Sequence, residues 1–315
     1  MSPRGGSADR AWYASPIVDR PHPDAEPLYG AEAPLDAWIE AARERVAPGL
    51  SFPEIRKAVQ AVSSLYVERR ASVGLGAKTT ESAGKRAAFA TYYAPLHLLI
   101  ARRAASMLPD AVRKSIRRVH DLGCGTGASG VGFVQGCGGA LEVHGLDRSG
   151  WALSEARHTF AQFGVAGRTR RAAIPEALPK LRPGDAVVAG WSANELEADA
   201  RARLLDFLME AVRGGNPIVL IEPLAKRIAP WWPTFARALV AYGVRDVEIR
   251  FEAPLPRWIE RLDEASGLDH RELRARALLW PIEGEPAGGV DEDASSGLRQ
   301  ALDGAHGEGG PGPDG

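Results

Sequence analysis

The run Val119-His120-Asp121-Leu122-Gly123-Cys124-Gly125-Thr126-Gly127 constrains this chain more than any other stretch. An apolar approach meets an acid. Three glycines follow at alternate positions, and an amphipathic run opens near Ala128. That order predicts a strand, a tight turn and a helix. Glycine reaches backbone angles closed to residues with a Cβ, and it leaves room for a ligand against the bare main chain. The helix start behind the turn offers free N–H groups to a carboxylate or phosphate. Dinucleotide-binding folds use a related turn, so the glycines alone leave more than one ligand class open.

Asp121 narrows the choice, because a pyrophosphate has little use for an anion beside it. The form Asp-Leu-Gly-Cys-Gly-Thr-Gly resembles the first motif of class I S-adenosylmethionine (SAM) methyltransferases. The resemblance implies that Asp121 lies near the methionine amino group of SAM. Gly123, Cys124, Gly125 and Gly127 would make room for that cofactor. Leu141 to Leu146 is strand-like, and Asp147 stands at its end. In nucleotide-type α/β sites, an acid about 20 residues past the glycines accepts hydrogen bonds from ribose hydroxyls. The alternative use of Asp147 is to cap a helix over Trp151 to Phe163. Arg148 and Trp191 complete the expected cofactor-binding set.

Alternating strands and helices continue downstream. Asp185 to Trp191 reads as a buried strand, and Ser192-Ala193-Asn194-Glu195-Leu196 follows at its carboxyl end. Ligands of open α/β sheets gather at that edge. Asn194 and Glu195 are therefore candidate catalytic residues, or else caps for a helix over Asp199 to Arg213. Ile218 to Ile221 is the most strand-like run, with Glu222-Pro223 at its end. Trp231 is a candidate for a substrate wall. Val244 to Phe251 and Arg274 to Trp280 read as final strands around a helix near Leu255 to Ala265. The fold class is α/β, a mostly parallel sheet with helices on both faces. The resemblance implies that one of the last strands is antiparallel. Thr169 to Ile174 fits a third strand, and Ala172-Ala173-Ile174 stands where relatives place an adenine-binding acid.

Ahead of the motif the chain is helical. Leu35, Trp38, Ile39, Ala42 and Val46 share one face, and Ile55, Val59, Val62, Leu65 and Tyr66 repeat the pattern. Lys85 to Met107 is a third helix, with Pro95 expected to kink or split it. Between Leu35 and Arg118, Lys and Arg outnumber Asp and Glu by about two to one. Such a face suits RNA or another anion, or is a solvated surface. Arg86, Tyr92 and Tyr93 are candidates to reach the cofactor carboxylate or to close over a substrate. The expected division is a disordered or extended N-terminus at 1–33, a helical region on the lid or substrate side at 34–115, a SAM-binding domain at 116–282 and a disordered acidic tail at 283–315.

The order of Arg86-to-Pro95, the glycine motif, Val187-to-Leu196 and Val219-to-Pro223 is also similar to a methyltransferase-like family associated with the small ribosomal subunit. That similarity implies rRNA or the small subunit as partner, and a non-catalytic or RNA-directed assembly factor as the alternative function. The family commonly carries a cysteine cluster for a metal centre. This chain has only Cys124 and Cys137, so no metal site is expected. Two cysteines suit a reducing, cytoplasmic setting. No apolar run reaches the length needed to cross a bilayer. The net charge of −1 gives no overall pull toward nucleic acid or membrane. The first expectation is a methyltransferase that passes a methyl group from SAM to an acceptor of unspecified class.

Overall fold

The computed structural model describes residues 32–68, 80–139, 141–225 and 228–282. Residues 1–31 of the expected N-terminal segment and the expected acidic tail lie outside the described residues, whereas residues 32 and 33 open the first helix.

Seven strands form one sheet: β1 (Arg118–Leu122), β2 (Glu142–Asp147), β3 (Gly167–Arg171), β4 (Asp185–Gly190), β5 (Ile218–Glu222), β6 (Arg245–Glu252) and β7 (Glu272–Trp280). Their order is β3-β2-β1-β4-β5-β7-β6. Pairings from β3 through β5 are parallel, and β7 runs antiparallel to both β5 and β6. This is the expected mostly parallel sheet with one antiparallel strand. Strand β3 starts two residues before the run expected for it and ends at Arg171, so Ala172 to Ile174 lie beyond it. The strand order reverses between β1 and β4, and a crevice opens at such a switch point.

Two apolar layers cover the sheet. Helices α4 (Ala94–Ser106), α6 (Ala128–Gly136) and α7 (Gly150–Gln162) lie in the cluster on one face, together with α1 (Glu32–Val46), α2 (Phe52–Glu68) and α10 (Arg257–Ser266). Helices α8 (Ala198–Arg213) and α9 (Trp232–Val240) cover the other face. The short helices α3 (Ala83–Ala88) and α5 (Asp110–Ser115) flank α4.

Pro95 acts differently from the expected kink. A π turn, Phe89–Tyr93, joins α3 to α4, and the Ala94 N–H reaches back five residues to the Phe89 carbonyl. The wider turn carries the helix past a proline that lacks an N–H. Pro95 then occupies the first turn of α4, where a missing N–H costs little.

The helical N-terminal segment is welded to the sheet. A Cβ on Gly132 would stand 2.3 Å from the Leu98 carbonyl oxygen, and one on Gly136 would stand 2.3 Å from that of Arg102. Glycine at both positions lets α6 touch the backbone of α4 and fixes the N-terminal end of α4 over the glycine turn. A second tie is the pair between Arg45 of α1 and the buried Glu155 of α7, at 3.0 Å.

Candidate functional site

The glycine turn is pinned from below. The Gly123 and Cys124 N–H groups both donate to the Leu146 carbonyl, at 2.8 and 2.9 Å, tying the turn to the end of β2. Gly123, Gly125 and Gly127 all take positive φ, at 72°, 50° and 80°. Their surroundings differ. A Cβ on Gly123 would come within 2.4 Å of the Ser192 Cβ, and one on Gly127 within 2.8 Å of the Phe160 ring. These two glycines let β4 and α7 close on the turn. Gly125 alone faces space, with the Phe89 ring 3.8 Å away as nearest neighbour. The Cys124 side chain is buried beneath the turn against Gly145, and burial holds its thiol well above its ordinary range. Only its backbone is offered to a ligand.

Asp121 is fully buried. Its Oδ2 accepts the Gly130 N–H of α6 at 2.8 Å, while Oδ1 has no partner. Burial raises the carboxyl to about 7, the Gly130 bond opposes this, and the neighbouring Asp147 adds to the rise. Thr126, inside the same turn, has a buried hydroxyl that is likewise unpartnered. Two orphaned polar groups behind a glycine turn are costly unless something docks there.

Asp147 stands at the end of β2. Its Oδ2 accepts the Gly125 N–H at 2.9 Å and its Oδ1 the Ser149 N–H at 2.7 Å. The cap of α7 is Ser149, whose hydroxyl accepts the Ala152 N–H, so Asp147 is not the cap. The two backbone bonds leave lone pairs on both oxygens and aim the carboxylate beside the turn. Arg148 is half exposed and lies 3.6 Å from Glu195.

The residues after β4 form a second wall. Trp191 is a non-glycine residue with positive φ, at 56°, a strained angle for a bulky side chain. Its ring stacks flat on His97 of α4, with centroids 3.6 Å apart and planes 8° from parallel. Phe89 meets His97 edge-on at 6.0 Å. Phe89, His97 and Trp191 thus form an aromatic wall beside Gly125. Burial lowers His97 to about 3, and the neighbouring His270 pushes the same way, so its imidazole is neutral at physiological pH.

Asn194 accepts a hydrogen bond from the Trp231 indole at 3.2 Å and its own N–H donates to Glu222 at 3.1 Å. Neither Asn194 nor Glu195 caps α8, whose N-cap is Glu197. Glu222 is fully buried at the end of β5, with Oε2 unpartnered, and burial raises it to about 8.

The candidates in the π turn point elsewhere. The Tyr92 hydroxyl donates to Asp263 of α10, and the Tyr93 hydroxyl donates to the Val59 carbonyl of α2 at 3.0 Å. Both are occupied inside the helical layer. Arg86 donates to the Thr80 carbonyl at 2.8 Å and lies over the Trp151 ring, 5.5 Å from its centroid.

The sequence motifs mark none of Thr126, His97, Glu222, His270 and Trp151 as site residues. Thr126 lay within the motif, and Glu222 closed the most strand-like run. Nothing in the local pattern marks His97, which reaches the site through the packing of α4, or His270, which lies between α10 and β7 against Asp263 and Tyr92. Among the described residues, no group of three or more His, Cys, Asp or Glu is placed to hold a metal ion.

Residues 119–215 match the family model described as a methyltransferase domain. No curated protein matches. Among solved structures, the chain is similar to the mitomycin 7-O-methyltransferase, at 15% identity and a TM-score of 0.43, over 78% of this chain and 74% of that one. It is similar to a precorrin-6y C5,15-methyltransferase from Geobacter metallireducens, at 14% identity and a TM-score of 0.39, over 58% and 86%. The tRNA (uracil-54, C5)-methyltransferase of Pyrococcus abyssi gives 16% identity and a TM-score of 0.38, over 60% and 38%. The matched stretch runs from β1 through α8 and holds the glycine turn and four of the seven strands of the sheet.

Proposed function

We propose that the chain is a SAM-dependent methyltransferase acting by direct displacement. The observation that carries this reading is a fully buried Asp121 with a free oxygen, set behind the glycine turn and near Asp147. The residues present fit SAM. The free Oδ1 of Asp121 suits the methionine ammonium, whose arrival would hold the carboxyl ionised. Asp147 suits the two ribose hydroxyls, and Gly125 leaves the backbone bare between them. Phe89, His97 and Trp191 would wall the pocket and exclude water. Arg148 stands at its rim, and Cys124 contributes main chain only.

Bound SAM supplies a methyl group on a positively charged sulfur. The chain's task is to align an acceptor with that methyl group and to keep water out. A neutral His97 beside the pocket adds no charge to repel the cation. Asn194 and Glu195 follow the carboxyl end of β4 and would face the acceptor. Transfer of labelled methyl from SAM into fractionated cell extract tests the reading, with RNA, protein and small molecules counted apart. Label in any fraction that depends on the folded chain supports it. No transfer, together with no SAM binding, refutes it.

A further inference from the structure

Asp121 lies behind the glycine turn and Asp147 beside it. A ligand that joins the free Oδ1 of Asp121 to Asp147 has to cross the turn at Gly125, the glycine that faces space. Three rings stand along that crossing. Phe89 is the nearest neighbour on the open side of Gly125, 3.8 Å from where a Cβ would stand. At the other end of the turn Ser192 packs on Gly123, which sets the preceding residue, Trp191, beside it. His97 joins the two rings, stacked on Trp191 and edge-on to Phe89.

The backbone is distorted at both ends of this wall. Trp191 is held at its positive φ from two sides. Its N–H donates to the Ile221 carbonyl of β5 at 2.8 Å, and the Ser192 hydroxyl donates to the Leu122 carbonyl of β1 at 2.8 Å. A bulky residue stays at such an angle only where its neighbours over-determine it. Phe89 opens the π turn, a rare element that recurs at functional sites. A wall that only excluded water could be made of aliphatic side chains on ordinary backbone.

The chemistry of the rings separates the two cases. Phe89 and Trp191 remain partly exposed. An aromatic face is negative over its π system and attracts a cation close to it. A protonated imidazole between the two rings would oppose that attraction, but burial keeps His97 neutral at physiological pH.

We infer that the wall of Phe89, His97 and Trp191 reads the charge on the cofactor's sulfur, so that the chain binds SAM more tightly than its demethylated product. The inference rests on the methyltransferase reading above. Transfer leaves the electron pair of the broken carbon–sulfur bond on sulfur, and S-adenosylhomocysteine is therefore a neutral thioether. The two forms would share every contact at Asp121, Asp147 and the turn. They differ in one methyl group and one positive charge, and an aromatic face distinguishes the charge. Phe89 and Trp191 are the residues that set this preference, and His97 positions them. The site then loosens its hold on the product by losing one attraction, with no second ligand required.

The test is calorimetric titration of the full chain with three ligands: SAM, S-adenosylhomocysteine, and an analogue that carries a protonated amine in place of the methylated sulfonium. Wild type should bind SAM at least about tenfold, and the amine analogue at least about threefold, more tightly than S-adenosylhomocysteine. Phe89→Leu and Trp191→Leu keep an apolar contact, and position 191 keeps its backbone angle. Each should cut the preference for SAM over S-adenosylhomocysteine at least about threefold, while Phe89→Tyr keeps it. Asp121 and Asp147 also act on the charge, but they are present in every variant, so the fall belongs to the rings. Equal wild-type affinity for SAM and S-adenosylhomocysteine would overturn the inference. So would an amine analogue no tighter than the thioether, a result that needs no variant to fold, or folded leucine variants with the full preference. A folded wild-type chain that binds none of the three would instead bring down the methyltransferase reading, and this inference with it.

Discussion

Replacing Asp121 with Asn changes one buried charge and little else, and its effect on stability follows from the structure. The folded carboxyl sits at about 7, against 3.8 for the exposed group. A raised acid means that the folded state holds its proton more tightly than the unfolded state. Stability then declines as pH climbs from the unfolded value to the folded one. The penalty starts near pH 4 and is complete above pH 7. The full gap corresponds to about 4 kcal/mol. Asparagine keeps an oxygen for the Gly130 N–H and carries no charge at any pH. The stability difference, Asp121→Asn minus wild type, should therefore grow by about 4 kcal/mol between pH 4 and pH 8. Urea unfolding of both full-length proteins at each pH, without SAM, measures it. Using the difference cancels every other titrating group. A difference flat to within about 1 kcal/mol would show that Asp121 is not a buried, unpaired acid.

Other expectations can be checked with the same proteins. Glu222→Gln should gain stability over wild type between pH 5 and pH 9, because Glu222 is raised from 4.5 to about 8 and the same sign applies. Gly132→Ala places a Cβ 2.3 Å from a backbone oxygen and should cost about 3 kcal/mol by thermal unfolding. Gly150→Ala, where the nearest atom is 4.0 Å away, should be neutral or mildly stabilising. Arg45→Ala strands the buried Glu155 and should cost about 2 kcal/mol, read by urea unfolding.

The sequence pattern and the structure agree where a local rule decides the outcome. Asp121 and the three glycines occupy a strand–turn–helix unit and Asp147 ends the following strand, and spacing alone locates them. Parallel strands buried on both faces, such as Ile218 to Ile221, read as continuous apolar runs. Agreement fails where a long-range contact decides. Pro95 signalled a broken helix, but a π turn carries the chain past it. Tyr92 and Tyr93 had the chemistry of a substrate lid, yet Asp263 and Val59, far away in the sequence, take their hydroxyls. The glycine pattern by itself implies clearance for a ligand. Two of the three instead clear Ser192 and Phe160, and no one-dimensional pattern shows which. His270 was silent for the same reason: its partners come from α10 and from the π turn, 178 residues earlier at Tyr92.

The most direct test of the central claim is calorimetric titration of SAM into the folded full-length chain, alongside Asp147→Ala. Wild-type chain should bind one SAM, and Asp147→Ala should bind it at least about tenfold more weakly, since one charged hydrogen-bonding group contributes roughly 1.5–3 kcal/mol. No binding heat from folded wild-type protein, or equal affinity in the two, would contradict it.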